Sequence, residues 1–594
     1  MCGFAGIFGK DTDKFGDKLA TALELIEYRG PDAKGFYRDD IFAVGHNRLK
    51  IIDLSDQANQ PFQNDEYVLA FNGEIYNYIE IKSKFNFVTE TSSDSEVLFE
   101  ILKKFNSNFS EGINLLNGMF AFSFYDKKKR RLILGRDRLG VKPLYYTVLN
   151  DSTIVFASEV KAILRLGLKF NINHRAVVNF LVNRTLSYQE RTFFEKIYSV
   201  EPGSYIEFVF DGDKLKQRKV KYWDFPNKIK DVAFQEAVKK FREFFFDAVT
   251  IRLRADVPVA TLLSGGLDSS AVTSAIAFLF PQKKIVSISA VYEGDPMCER
   301  IYAEKVIKKH KNIEPIWLNI TQDMAGDILD NVIYHQETPI ADGSMVSHFL
   351  LMRALKEQNV KVILSGQGGD EILGGYVYTF LPAHYADCLR RGNIKNINIR
   401  SLFHSLPPSL KNKLKQISIC KNYLHYISLE KLKEVDDYYH KWNNQTILNN
   451  YLITSLRYWS LPGFLHYEDR NTMAYSLEGR GPFLDYRLVE FMLSLSNEFK
   501  INNGIGKFIL RQSLKDILPQ IIAQRKDKQA FYAPVDKWAK GVDYVFLGDD
   551  GFQRSFHYIK FPRVISCDYL FKWKLYTLFK WYKIFIKEGG VYEE

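Results

Sequence analysis

The chain has 594 residues, a formal net charge of +11, 46% apolar and 25% charged residues, which allows two or more domains with full cores and matches a soluble globular composition. No apolar run approaches the roughly 20 residues of a membrane span, and the start, Met1-Cys2-Gly3-Phe4, lacks the basic-then-apolar order of a signal peptide, so a cytoplasmic location is expected. Five scattered cysteines, none in a CxxC, argue against a disulfide scaffold or zinc site, and the basic residues gather only in a short cluster at 127–131, so nucleic acid is not an expected partner.

Residues 1 to about 207 read as β-rich. Short apolar runs at 41–44, 67–72, 119–125, 131–134, 144–148, 154–157 and 204–210 are bounded by Gly, Asn, Asp or Pro and predict strands. Two helices are predicted among them. One spans 14–26; the other follows Ser93-Asp94, with Val97, Leu98, Ile101, Leu102 and Phe105 at helical spacing. Residues 208–233, polar and basic with Pro226, read as an interdomain linker. An amphipathic helix runs from 234 to about 253. Apolar strands at 257–263, 285–291, 314–318 and 360–364 then alternate with helical stretches near 270–280, 299–311 and 345–358. That alternation predicts a parallel sheet with ligands at the carboxyl ends of its strands. Residues 384–450 look mostly helical and carry no usable motif. In the tail, 569–586, Phe571, Leu575, Leu578, Tyr582 and Phe585 form a stripe that predicts a docked helix. Trp573 and Trp581 fall off that stripe and keep a membrane-surface helix open.

Two glycine-rich loops fall at predicted strand ends. The first, Leu263-Ser264-Gly265-Gly266-Leu267-Asp268-Ser269-Ser270, offers backbone N–H groups at a helix start, a site for phosphate without P-loop spacing. Its acid, Asp268, makes sense beside phosphate if Mg²⁺ bridges them. The second, Ser365-Gly366-Gln367-Gly368-Gly369-Asp370-Glu371, pairs glycine freedom with another acid; Asp370 also reads as a helix cap. At the other end of the chain, removal of Met1 would leave Cys2 with its own α-amine as a base, whose pKa near ~8 keeps much of it neutral.

Cys2-Gly3, Tyr28-Arg29-Gly30-Pro31-Asp32, Arg48-Leu49, Asn72-Gly73-Glu74-Ile75-Tyr76-Asn77, Ser93-Asp94 and Gly135-Arg136-Asp137 resemble, in this order, the class II glutamine amidotransferases. The resemblance implies an N-terminal-nucleophile αββα sandwich over residues 2–207. It makes Cys2 the nucleophile for the glutamine amide, with the Asn72 side chain and Gly73 N–H as oxyanion donors. Glutamine-binding positions are then Arg48, Ile51, Ile52, Asn72, Gly73, Glu74 and Asp94. Arg48 suits the substrate carboxylate, and Asp94 with the Glu74 backbone suits its ammonium.

The two loops, with Gly506-Lys507-Phe508-Ile509-Leu510-Arg511 and Ser476-Leu477-Glu478-Gly479-Arg480-Gly481-Pro482-Phe483-Leu484-Asp485, resemble the ATP pyrophosphatase domain of asparagine synthetases. The implied fold class is α/β and α+β in two domains: the sandwich, then a parallel-sheet α/β domain of adenine nucleotide α-hydrolase type over 234–545. Residues 546–594 remain as a basic, aromatic, helical extension. By this resemblance ATP and Mg²⁺ are the cofactors. Ser264, Gly265, Gly266, Asp268, Ser269 and Ser270 grip pyrophosphate; Leu263, Val291, Ser365 and Gly366 hold adenosine; Lys507 approaches the phosphates; Asp268 and Asp370 share Mg²⁺. Homodimerisation is left open.

The implied chemistry joins the halves. Glutamine yields glutamate and ammonia, which passes through an interdomain channel to an acyl-adenylate, giving an amide and AMP. Aspartate is the family's acceptor. Gln367, in the acceptor and adenylate region, stands where the family often has Glu, and an amide cannot act as a base. Residues 337–344, where the acceptor carboxylate should bind, resemble a form found in many bacterial relatives. Another acceptor, such as a uronic acid in a surface polysaccharide, stays open.

Overall fold

The structure is a computed structural model that describes residues 2–186, 189–390, 423–438, 445–526, 531–540, 544–564 and 567–589. Its first half is built from two six-stranded antiparallel sheets. One has the order β10-β8-β9-β1-β3-β2, from Tyr198–Ser199, Tyr145–Leu149, Thr153–Ala157, Gly3–Gly9, Phe42–Arg48 and Ala33–Arg38. The other has the order β12-β11-β7-β6-β5-β4, from Leu215–Lys221, Ser204–Phe210, Arg131–Arg136, Gly118–Asp126, Tyr67–Ile75 and Phe62–Gln63.

Period-two alternation explains how these strands share two cores. Phe4 and Phe8 of β1 join Phe42, Val44, Tyr125, Leu134 and Phe208 between the sheets. Ala5 and Ile7 of the same strand face the outer helices with Leu19 and Leu23. β1 is therefore buried on both faces along its whole length. That burial, and glycines at 3, 6 and 9, hide it from a search for alternating patterns. Gly6 is needed because a Cβ there would run into the Phe156 ring.

The expected strands are all present, most of them longer than their apolar runs. The helix predicted over 14–26 is instead two short pieces, Thr12–Gly16 and Leu19–Glu24. The helix after Ser93 spans Asp94–Lys104, with the Ser93 side chain accepting from the Ser95 N–H as its N-cap. The linker reading of 208–233 needs correction. Leu215–Lys221 is a strand, paired antiparallel with β11 from Ser204↔Lys221 to Phe210↔Leu215. Its polar, mostly exposed residues are those of a sheet edge, where charge discourages further pairing.

The second half centres on a five-stranded parallel sheet, order β15-β14-β13-β16-β17. These strands are Ile313–Asn319, Ile285–Val291, Val259–Leu262, Val362–Leu364 and Glu478–Arg480. From β13 the chain proceeds to β14 and β15 on one side and later to β16 and β17 on the other. β13 and β16 thus flank the switch point, and both glycine-rich loops leave their carboxyl ends side by side. The helix Phe234–Ile251 covers this domain with Phe241, Phe245 and Val249 fully buried. β17 was not expected as a strand: its residues are Glu478, Gly479 and Arg480, all buried, and charge at both exposed-looking positions masks it.

Most of 384–450 lies outside the described residues. The tail is settled in favour of docking. The helix Tyr569–Tyr582 buries Trp573 and Trp581 as well as the expected stripe, because it packs between elements of both domains, with Phe193 and Phe194 against Trp581. Among the described residues no helix is long and apolar enough to cross a membrane.

Candidate active sites

The first site forms where β1 of one sheet meets β5 of the other. Cys2 immediately precedes β1, and its backbone nitrogen donates to Asn72 Oδ1 at 3.1 Å. Once Met1 is removed, that nitrogen is the α-amine. The Asn72 carbonyl oxygen is thereby committed, and its Nδ2, fully buried, has no hydrogen-bond partner among the described residues. An unpaired buried amide donor is costly, and one on the residue that bonds the Cys2 nitrogen is able to receive an oxyanion. Beside it, Gly73 has φ +154°, and a Cβ there would run into the Met119 carbonyl oxygen of β6. Burial pushes the Cys2 thiol up, opposed by the positive chain terminus, the Leu49 N–H and Arg48.

The other predicted residues gather around this pair with less freedom than expected. Arg48, at the end of β3, donates to the Ser55 carbonyl at 2.6 Å, Asn59 Oδ1 at 2.9 Å, the Ile52 carbonyl at 3.4 Å and the Asp53 carbonyl. Its guanidinium shapes the loop that carries buried Ile51 and Ile52. Asp94 Oδ2 accepts the Ile75 N–H at 2.9 Å, and burial raises its carboxyl to about 6. Glu74 sends its carboxylate away from the site, to Arg480 Nη2 of the second domain at 3.1 Å, so only its backbone serves the pocket. Burial and neighbouring Asp94 push its carboxyl well up.

The second site lies at the β13 and β16 loop ends. Gly265 has φ +86° and packs so closely on the Glu299 carbonyl that a Cβ would sit 2.8 Å from it. Ser264 and Ser269 hydroxyls are 3.0 Å apart, and each also bonds the loop backbone. Gly366 and Gly369 of the second loop press onto Asp268: a Cβ on either would lie within 2.8 Å of it. Lys507, in a left-handed conformation with φ +56°, sends its Nζ between the two acids, to Asp268 Oδ2 and to Asp370 Oδ1 at 2.6 Å. Leu263 and Val291 are buried at adjacent strand ends. Ser365 Oγ donates to Glu468 Oε1 at 2.5 Å, and the Gln367 N–H lies 3.4 Å from that Oγ.

Among the described residues no group of three or more His, Cys, Asp or Glu is placed to hold a metal. Two hard carboxylates beside a phosphate nest nonetheless fit Mg²⁺, which takes few protein ligands and completes its shell with phosphate oxygens and water. Asp268 and Asp370 would hold it, and it would supply positive charge to phosphate oxygens.

Sequence reading missed what lies between the sites. Arg29 Nε donates to the Cys2 carbonyl at 3.1 Å, and its guanidinium pairs with Glu159 at 2.7 Å and with both oxygens of Asp469 at 2.9 and 3.0 Å. Arg470 reaches Asp469 at 3.1 Å and Glu337 at 2.8 Å. Arg29 and Arg470 are completely buried. Arg29 sits inside the Tyr28–Pro31 motif, which was the available signal; its carboxylate partners lie 130 and 440 residues away. Glu468, beside the Gln367 loop, was missed for the same reason.

Residues 1–223 match the glutamine amidotransferase domain family and residues 240–546 the asparagine synthase family. The chain is 30% identical over 572 residues to glutamine-hydrolysing asparagine synthetase 1 of Bacillus subtilis, across 91% of this chain and 88% of that protein. It is 26% identical to glutamine-hydrolysing asparagine synthetase B of Escherichia coli, across 92% and 83%. A Gibberella zeae protein named amidase chry2 is 32% identical over 394 residues, covering 62% of this chain and 57% of its own length.

Proposed function

Because this chain belongs to the asparagine synthase family, with an N-terminal glutamine amidotransferase domain, we propose that it amidates aspartate with nitrogen taken from glutamine and energy taken from ATP. The observation that carries this reading is the pairing, in one chain, of an amide-cleaving and a phosphate-binding arrangement. Cys2 and the unpaired Asn72 amide make the first; Asp268, Asp370 and Lys507 at the switch point make the second.

The residues divide the work as follows. The α-amine of processed Cys2 takes the thiol proton, and the thiolate attacks the glutamine amide carbon. Asn72 Nδ2 and the Gly73 N–H receive the oxyanion. Each such donor contributes roughly 10²–10³ in rate. The amine proton leaves with ammonia, and water cleaves the thioester to glutamate. Asp94 holds the substrate ammonium as a carboxylate, and Arg48 keeps the 51–59 loop against the substrate's other end. In the second domain the nest at 264–270 binds the β- and γ-phosphates. The acceptor carboxylate attacks the α-phosphorus, pyrophosphate departs, and Lys507 turns from the two acids to the phosphates. Bound Mg²⁺ would neutralise phosphate charge there. Ammonia then attacks the acyl carbon and AMP leaves.

A second acceptor is favoured by one specific observation. Gln367 lacks the charge of a Glu, and the nearby carboxylate comes from Glu468 through Ser365 instead. The uncharged Gln367, and a relative named as an amidase, support a different carboxylate, such as a uronic acid. Purified protein given glutamine, ATP, Mg²⁺ and a panel of carboxylates decides between them by pyrophosphate release. Release with aspartate supports the first reading; release only with another acid replaces it; silence with every acid removes both.

A further inference from the structure

The helix Gln322–Gln336 ends at Glu337, which adopts φ +60° and ψ +10°, a left-handed conformation that glycine normally supplies. A side chain kept there needs a reason, and Glu337 has three. Its Oε2 accepts the Val160 N–H at 3.1 Å and its Oε1 the Lys161 N–H at 2.6 Å. It therefore caps the helix Val160–Leu164 of the first domain from the second. Its Oε2 also receives Arg470 Nη2 at 2.8 Å. Its carbonyl oxygen accepts Trp581 Nε1, from the C-terminal helix, at 2.9 Å.

The same C-terminal helix grips the segment a second time. Thr577 Oγ1 donates to the Ile340 carbonyl at 2.9 Å. Gly343 packs against Trp538 and Val535, with no room for a Cβ. Residues 337–343 are thus held from two directions: by the first domain through Glu337, and by the tail through Trp581 and Thr577. From Glu337 a run of buried charges continues through Arg470, Asp469 and Arg29 to the Cys2 carbonyl. On its far side the segment leads into the helix Ser344–Glu357, whose Ser347 Oγ meets the Tyr292 hydroxyl at 2.7 Å, one residue beyond the Val291 strand end.

We infer that Glu337 is a positioning residue, and that with Trp581 and Thr577 it braces residues 338–343 against the glutaminase domain so that the segment presents one fixed surface to the acceptor carboxylate. This rests on the proposed function and on the resemblance that places the acceptor carboxylate at residues 337–344. The hydrogen bonds of Trp581 and Thr577 go to the Glu337, Ile340 and Lys574 carbonyls and not to residues 263–270 or 365–371, so the brace is assigned to the acceptor and not to ATP. The tail thereby becomes a determinant of acceptor selectivity, and the buried charges tie that determinant to the domain that supplies ammonia.

The test uses the full chain carrying Trp581→Phe with Thr577→Val, which keeps ring and volume and removes both donors to the segment. With ammonium as nitrogen source, the acceptor KM is expected to rise at least fivefold while the ATP KM and the kcat stay within twofold. Glutaminase activity without ATP stays unchanged. Glu337→Gln is expected to raise the acceptor KM likewise, and to increase the glutamate formed per pyrophosphate. An unchanged acceptor KM in both variants overturns the proposal, as does an equal rise in the ATP KM, which marks a merely structural effect. If the wild type releases pyrophosphate with no carboxylate, the functional reading has failed. Amide hydrogen exchange of 338–343 then still judges the brace: faster exchange there, without faster exchange in 264–270, upholds it, and unchanged exchange overturns it.

Discussion

The two candidate sites are built on opposite electrostatic plans. At Cys2 the groups proposed to meet the oxyanion are neutral, the Asn72 amide and the Gly73 N–H, both on β5 of the sheet that faces β1. Neutral dipoles can stand ready in a buried pocket, because leaving one unpaired costs far less than leaving a charge unpaired. At the 264–270 loop the groups are full charges, and here Lys507 and the two acids satisfy one another. On the proposed function the first site therefore waits preassembled, whereas the second must exchange an internal ion pair for its substrate's charge. In that reading hydrolysis of glutamine is a matter of access and adenylation a matter of exchange.

Removing the nucleophile separates the sites most sharply. Cys2→Ala is expected to lower glutamine-dependent amide formation by more than ~10³ while added ammonium restores it; loss of both in a steady-state assay would mean that the sites are not separate. Asn72→Ala is expected to reduce glutaminase kcat by roughly 10²–10³. A loss below tenfold would show that the unpaired amide does not meet the oxyanion and that the first site is not preassembled. Asp268→Asn breaks the charge exchange, and pyrophosphate release is expected to fall about 10²-fold, with glutamate formation retained. Unchanged release would remove Asp268 from the nucleotide site.

The mildest effect is one of pH. Burial holds Asp94 near 6 in the free protein, above its ordinary value, so it is ionised at pH 7 and mostly protonated at pH 5. Only the carboxylate attracts an ammonium. The glutamine kcat/KM is thus expected to drop about tenfold from pH 7 to pH 5 through this group, and Asp94→Asn to flatten that limb at a lower level. The sign for stability is the reverse. A raised carboxyl pKa favours the folded, protonated form, so Asp94 contributes most below its unfolded value near ~3.9, and the contribution fades as pH rises through 6.

Legibility in the sequence followed the range of the interaction. Asp94–Lys104, with its Ser93 cap and apolar spacing, could be read because caps and helical periodicity are local. The strands β5, β6, β7 and β11 could be read from short apolar runs. β1 could not, since burial on both faces erases alternation, and β17 could not, since Glu478 and Arg480 neutralise each other at 2.5 Å only after folding. The edge strand β12 looked like a linker because edges and linkers share polar composition. Arg48 was expected from the resemblance among the glutamine-binding residues; its four loop acceptors carry no local signal.

Residue types and spacing by themselves marked the β-rich first half and the α/β second half, the thiol at the start and the two glycine–acid loops; the resemblance added the role expected of Lys507. Those are local requirements: a tight turn needs glycine, a nucleophile needs a neighbouring base, and phosphate needs N–H groups. Only the tertiary structure decided which charges compensate one another. Arg29 with Asp469, Glu74 with Arg480, and Glu337 with Val160, Arg470 and Trp581 meet across 100 to more than 400 residues of chain. Charge pairing inside a protein carries no periodicity along the sequence, because what selects each partner is burial beside it.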